Sequence, residues 1–234
     1  MISALLFDFG GTLDADGQHW LDRFYLIYPD IGLPEIPKIK IKEAFYWADE
    51  QAELDPGMRS AGLREMMERH VHWQFQKLGL ESKTLEAKAA AAFYKPADRI
   101  LRRNRHTLEK LSHSGLKLGI ISNFYGNIEA LCREFALTPY LNVILDSAIV
   151  GLKKPDPKLF QVALDRLKLT AGQIGFVGDS YERDILPAKS LGMQTFWLIG
   201  DKDLVPPEAN KVDNVLRSLE DLPHELGIQK KVAS

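Results

Sequence analysis

Apolar residues in this chain come in two arrangements: short runs and longer stretches with helical spacing. The short runs are Ala4 to Phe7, Leu116 to Ile121, Asn142 to Leu145, Ile174 to Val177 and Gln194 to Leu198, with Lys117, Asn142, Gln194 and Thr195 as their only polar residues. Such runs predict buried strands, and Ala4 to Phe7 is uniform enough to be covered on both faces. Between the later ones lie helical patterns over Arg99 to Ser114, Ile128 to Phe135, Leu159 to Leu167 and Ile185 to Leu191. Such alternation predicts a parallel, doubly wound α/β sheet with right-handed crossovers. With Asp184 as N-cap, Pro187 falls in the first turn of its helix, where a missing N–H costs little. Past Asp201 come Pro206-Pro207, then Val212 to Leu226, which reads as a short strand and helix closing the sheet edge.

One stretch breaks the alternation. From about Gly17 to Lys95 there is no apolar strand run, but two helical stripes stand out: Ile41, Ala44, Phe45, Ala48, Ala52, and Leu63, Met66, Met67, His70, Val71, Phe75, Leu78. The Pro-rich segment before Lys38 and the Asp55-Pro56-Gly57 break separate these helices, and Leu85 to Tyr94 adds a last one before Pro96. The chain therefore reads as an α/β core, residues 1–16 and 97–234, with an inserted all-helical unit over 17–96. His70 lies on an apolar face, as a packed, hydrogen-bonded histidine does more often than a ligand.

Composition narrows the function classes. The 234 residues carry a formal net charge of −2, which offers no basic surface for nucleic acid. The single cysteine, Cys132, sits in a helical stripe as a small apolar side chain, so disulfides and a cysteine zinc site are excluded. No stretch approaches the roughly 20 apolar residues of a membrane span. The N-terminal run lacks the basic leader and cleavage site of a signal peptide, and the expected location is cytoplasmic.

The chemistry collects where the strands end. Asp8 and Asp179 follow two of them, Ser122 ends another and Lys154 lies in the loop after a fourth; on a parallel sheet all four can meet above one edge. Taken alone, Asp8 before Gly10-Gly11 is equally good turn chemistry. Two carboxylates at one site repel unless a cation sits between them, and oxygen-only ligands suit Mg²⁺. Lysine would offset the charge of a phosphate, while a serine hydroxyl and N–H groups of the Gly11-Thr12 turn would hold its oxygens.

Four segments, FDFGGTLD, IISNFYG, GLKKPDP and VGDSYERDI, stand in the order of the four motifs of the haloacid dehalogenase-like hydrolase superfamily, which the whole chain resembles. The resemblance implies that Asp8 is a nucleophile forming an aspartyl-phosphate, with Ser122 and the Asn123 backbone on phosphoryl oxygens. Lys154, rather than Lys153, would pair with nucleophile and phosphate. Asp8, Asp179, the Gly10 carbonyl and a further carboxylate, Asp184, would hold Mg²⁺ or its waters. From the residues alone, the lesser alternative is that Ser122-Asn123 only starts a helix. The helical unit would be the cap that selects a small phosphorylated substrate, and Trp20, Tyr46, Trp47 and Trp73 could line its pocket, although aromatics at helical spacing are more often core.

The chain departs from the family at Gly10, where its phosphatases carry a second Asp that protonates the leaving oxygen and activates water. General acid–base catalysis of this kind is typically worth 10²–10⁴-fold. Three readings stay open: a Mg²⁺-dependent phosphatase whose leaving group departs unaided or takes its proton from Asp14 or Asp16; a phosphonatase using a cap lysine (Lys38, Lys40, Lys42 or Lys77) as Schiff base; or a binding protein without turnover. A haloacid dehalogenase needs no metal, which Asp179 argues against, and a nicotinamide site would want a G-x-G-x-x-G turn that is not there.

Overall fold

The computed structural model describes residues 2–201, 208 and 211–228, so the Pro206-Pro207 break lies outside the described residues. All five apolar runs form strands: β1 (Ala4–Phe7), β2 (Lys117–Ser122), β3 (Val143–Asp146), β4 (Ile174–Gly178) and β5 (Gln194–Leu198). A short β6 (Asn214–Leu216) closes the edge as expected. The sheet order is β3-β2-β1-β4-β5-β6, and every neighbouring pair is parallel. Chain order reverses between β1 and β4, which opens the crevice where ligands bind in such sheets. Phe7 is in register with both Ile120 and Val177, so Asp8 emerges at that crevice.

Four helices separate β1 from β2: α1 (Trp20–Asp30), α2 (Lys38–Leu54), α3 (Leu63–Leu78) and α4 (Lys83–His113). α1 is not among the helices expected from the pattern, although Trp20, Leu21, Phe24, Ile27 and Tyr28 form its buried stripe. A helix break is also expected at Pro96. Instead α4 runs unbroken through Pro96, so the expected boundary at 96/97 falls inside a helix. Its buried positions, Phe93, Ala97, Leu101, Asn104, Leu108 and Leu111, keep a spacing of three or four. Continuous burial along that stripe outweighs the roughly 3 kcal/mol that a mid-helix proline costs. The remaining helices, α5 (Ile128–Glu134), α6 (Ser147–Val150), α7 (Pro157–Leu167), α8 (Leu186–Ser190) and α9 (Leu222–Glu225), flank the sheet. Among the described residues no helix is long and apolar enough to cross a membrane. Cys132 is buried and free, as its stripe implied.

Asp14 ties α1 to the turn after β1. Its Oδ1 accepts the Gly11 N–H at 2.7 Å and its Oδ2 the Trp20 indole N–H at 2.7 Å, with Arg23 Nη1 at 3.7 Å. Burial dominates this pair and pushes the Asp14 pKa up to about 6, against the pull of Arg23 and the two N–H groups. The same burial lowers the Arg23 pKa.

Two expectations follow from this packing. Gly119 in β2 has no room for a side chain: an added Cβ would lie 2.3 Å from Val143 Cγ1 and 2.8 Å from Leu6 Cδ2. Gly119→Ala should therefore destabilise by about 1–3 kcal/mol, read as a lower urea midpoint. For Asp14, a folded pKa of about 6 against 3.8 means that its contribution to stability is fully present below about pH 3.8 and is lost as pH rises through about 6. Relative to Asp14→Asn, the wild type should lose roughly 3 kcal/mol of stability between about pH 4 and pH 7. Denaturant curves at the two pH values check this, and a pH-independent difference contradicts it.

Candidate active site

The strand ends bring the expected residues together. One carboxylate oxygen from each of Asp8, Asp179 and Asp184 lies within 4.8 Å of the others, and all three residues are buried. Asp8 follows β1 and Asp179 follows β4, on the two sides of the crevice. Gly11 makes the approach possible: at φ 87° it would, with a Cβ, meet the Asp179 carboxylate at 2.5 Å.

Lys154 lies among these acids, its Nζ donating to Asp8 Oδ1 at 2.7 Å and to Asp184 Oδ1 at 2.6 Å. Ser122 Oγ donates to the same Asp8 Oδ1 at 2.7 Å. Burial works against the charge on Lys154, yet Asp184 and Asp8 outweigh it and hold the pKa above the ordinary lysine value. Asp179 fares worse. Burial, then Asp8 and Asp184, push its pKa well above the carboxylate range. Asp184 is also raised, by burial and Asp8 against the pull of Lys154. Three buried acids thus face Lys154 and the adjacent Arg183, and the excess negative charge, on oxygen donors only, suits a hard divalent cation.

Neighbouring groups hold the ends in place. The Asn123 side chain clamps the Lys154 backbone, accepting its N–H at 2.8 Å and donating to its carbonyl at 2.9 Å. Lys153 points elsewhere, to an exposed pair with Glu53 at 2.6 Å. The turn residues behave differently from the sequence expectation. The Gly11 N–H is spent on Asp14, and the Thr12 hydroxyl donates to Asp179 Oδ1 at 3.3 Å. Both position the acids, and neither lines the cavity. Asp184 is not an N-cap either. It sits in a wide turn, Tyr181–Ile185, that Ser180 caps, and its Oδ2 accepts the Ser180 N–H at 3.0 Å.

A cavity opens above Asp8, Gly10, Ser122, Lys154 and Asp184, roofed by His19 at the N-cap of α1, Trp20 on α1, and Phe45 and Asp49 on α2. Trp20 occupies the space beside Gly10, its Cε2 lying 3.3 Å from where a Cβ would be. Of the aromatics singled out in the sequence, only Trp20 lines this cavity. The two loop acids considered as proton donors are engaged: Asp14 as described, and Asp16 with Arg103, Asn104 and Ser218. Lys38, Lys40, Lys42 and Lys77 are exposed and do not line the cavity, so none of these four presents an amine to it.

Sequence reasoning missed the roof and wall groups. Asp49 Oδ1 accepts from the Tyr125 hydroxyl and from His70 Nε2 at 3.0 Å. Arg183 reaches His19 Nε2 at 2.6 Å. The available signal was Asp49 one turn after Phe45 on the edge of an apolar stripe.

Comparisons with known proteins show which family the chain resembles. The chain is 35% identical over 126 residues to the haloacid dehalogenase-like hydrolase domain-containing protein 3 of Danio rerio, covering 51% of this chain and 50% of that one. It is 34% identical over 118 residues to a glyceraldehyde 3-phosphate phosphatase of Methanocaldococcus jannaschii, covering 50% and 51%. The chain thus spans about half the length of these curated relatives. Among solved structures, a dehalogenase with an intermediate complex aligns over 96% of each chain with a TM-score of 0.63 at 21% identity. A phosphatase of the superfamily from Thermococcus onnurineus aligns over 97% of this chain and 99% of its own, with a TM-score of 0.55 at 23% identity. At these identities the two structures show the shared fold. A family profile described as haloacid dehalogenase-like hydrolase matches residues 2–192, and the chain belongs to that hydrolase family.

Proposed function

We propose that this chain is a Mg²⁺-dependent phosphohydrolase that acts on a small phosphorylated metabolite through an aspartyl-phosphate on Asp8. The observation behind this reading is the bonding of Asp8: Ser122 and Lys154 both hold Oδ1, while a carboxylate oxygen from each of Asp179 and Asp184 lies within 4.8 Å of one of its own. Relatives named as phosphatases of glyceraldehyde 3-phosphate and of ribulose 1,5-bisphosphate support the substrate class. In this reading α1 to α3 and the first half of α4 serve as the cap.

Asp8, Asp179 and the Gly10 carbonyl would hold the Mg²⁺, with Asp184 on the ion or its waters. When bound, the ion supplies positive charge against the phosphoryl oxygens and relieves repulsion among the acids. Lys154 and Ser122 orient the phosphoryl group on the protein side. An Asp8 oxygen attacks phosphorus as the bond to the leaving oxygen breaks. Water then attacks the aspartyl-phosphate, releasing inorganic phosphate and restoring the carboxylate. Gly10 offers no proton, and Asp14 and Asp16 are committed elsewhere. The leaving oxygen therefore departs with its charge.

Asp8→Asn should cut Mg²⁺-dependent hydrolysis of an aryl phosphate by about 10³-fold or more. Mg²⁺ should also raise the melting temperature of the wild type but not of Asp179→Asn; equal shifts in both would place the ion elsewhere. Across a series of phosphate monoesters, log kcat/KM should fall steadily with leaving-group pKa. Flat rates would mean that a proton donor is at work after all.

A further inference from the structure

Above the acids, the cavity carries one carboxylate that the proposed chemistry does not use. Asp49 lies on α2, its side chain 27% exposed, and its Oδ1 accepts from both Tyr125 and His70. A carboxylate only accepts, so His70 must carry its proton on Nε2 and accept at Nδ1, where Gln74 Nε2 stands at 2.9 Å. Gln74 Oε1 in turn accepts the Tyr28 hydroxyl at 2.7 Å. His70, Gln74 and Tyr28 are all buried, so the chain of bonds holds Asp49 from behind. Oδ2 has no hydrogen-bond partner among the described residues. The side chain lines the cavity beside the rings of Trp20, Phe45, Phe124 and Tyr125.

The charges are laid out along the cavity. Lys154 and Arg183 sit with the acid cluster, where the phosphoryl group would lie, and Arg183 also bonds His19. The roof offers a fixed negative oxygen within aromatic walls, the surroundings that favour an organic cation through both Coulomb attraction and ring faces. We infer that Asp49 selects a phosphate monoester whose leaving group carries an ammonium and rejects one that carries a second anion. This rests on the phosphohydrolase reading of the same site. It also fits the side chain missing at Gly10, because a nearby ammonium lowers the pKa of the leaving oxygen.

Four esters of similar size test it: 2-aminoethyl, 2-hydroxyethyl, propyl and 2-carboxyethyl phosphate. In the wild type kcat/KM should fall in that order, with at least about tenfold between the first and last. Asp49→Asn, which retains acceptors for Tyr125 and His70, should bring that ratio within about threefold. Binding of the same esters to the Mg²⁺-loaded Asp8→Asn protein, by calorimetry, reads recognition without turnover. If the wild type hydrolyses neither these esters nor an aryl phosphate, the phosphohydrolase reading fails; if it hydrolyses the aryl phosphate but none of these, that reading stands, and in either case the binding order alone supports or overturns the role of Asp49. A wild-type preference for the hydroxyl, propyl or carboxylate ester overturns it whatever the variant does. So does an unchanged ratio in folded Asp49→Asn.

Discussion

Mutual repulsion among three buried carboxylates is the constraint on which the rest of this structure turns. Asp8, Asp179 and Asp184 share a space too small and too dry for three negative charges, and Lys154 bonds only two of them. The architecture forces the crowding. Asp8 and Asp179 follow adjacent strands on either side of the sheet's switch point, and a glycine at position 11 lets one acid press against the turn of the other. Such a cluster is costly in a folded protein unless a cation completes it. Its persistence here is a physical reason to regard the carboxyl edge as the business end of the molecule.

The roof is held by polar bonds that are themselves buried or half-buried. Trp20 reaches down to Asp14, Asp49 to Tyr125, and His19 to Arg183. Each joins a residue from α1, α2 or their approach to a loop at the strand ends. The geometry of the floor and the shape of the space above it are thereby linked. The indole of Trp20 serves twice, bonding Asp14 and filling the volume beside Gly10.

Much of this was legible in the residues because the underlying rules are periodic. Short apolar runs became buried strands, and the strand-end positions of Asp8, Ser122 and Asp179, with Lys154 in the loop beyond β3, followed from the order of the elements. His70 also behaves as its stripe suggested, packed and hydrogen-bonded. Reading failed where burial overrode a local rule. Pro96 looked like a stop, but the stripe on either side of it stays in phase, and packing decided. Asp184 looked like a helix cap, yet tertiary bonds to Lys154 claimed it. Asp49, Tyr125 and Arg183 converge from segments far apart in sequence, and no one-dimensional pattern records such meetings.

The unbroken α4 has a mechanical consequence. One end of this 31-residue rod belongs to the helical layer and the other lies beside β2 and α9, so the two layers are joined by a stiff member as well as by a loop. Rigid rods yield where their internal bonding is thinnest. Pro96 donates no backbone hydrogen bond, and it stands near the middle of the rod. Bending strain between roof and sheet would concentrate at that residue, so the proline that failed to end the helix marks its compliant point.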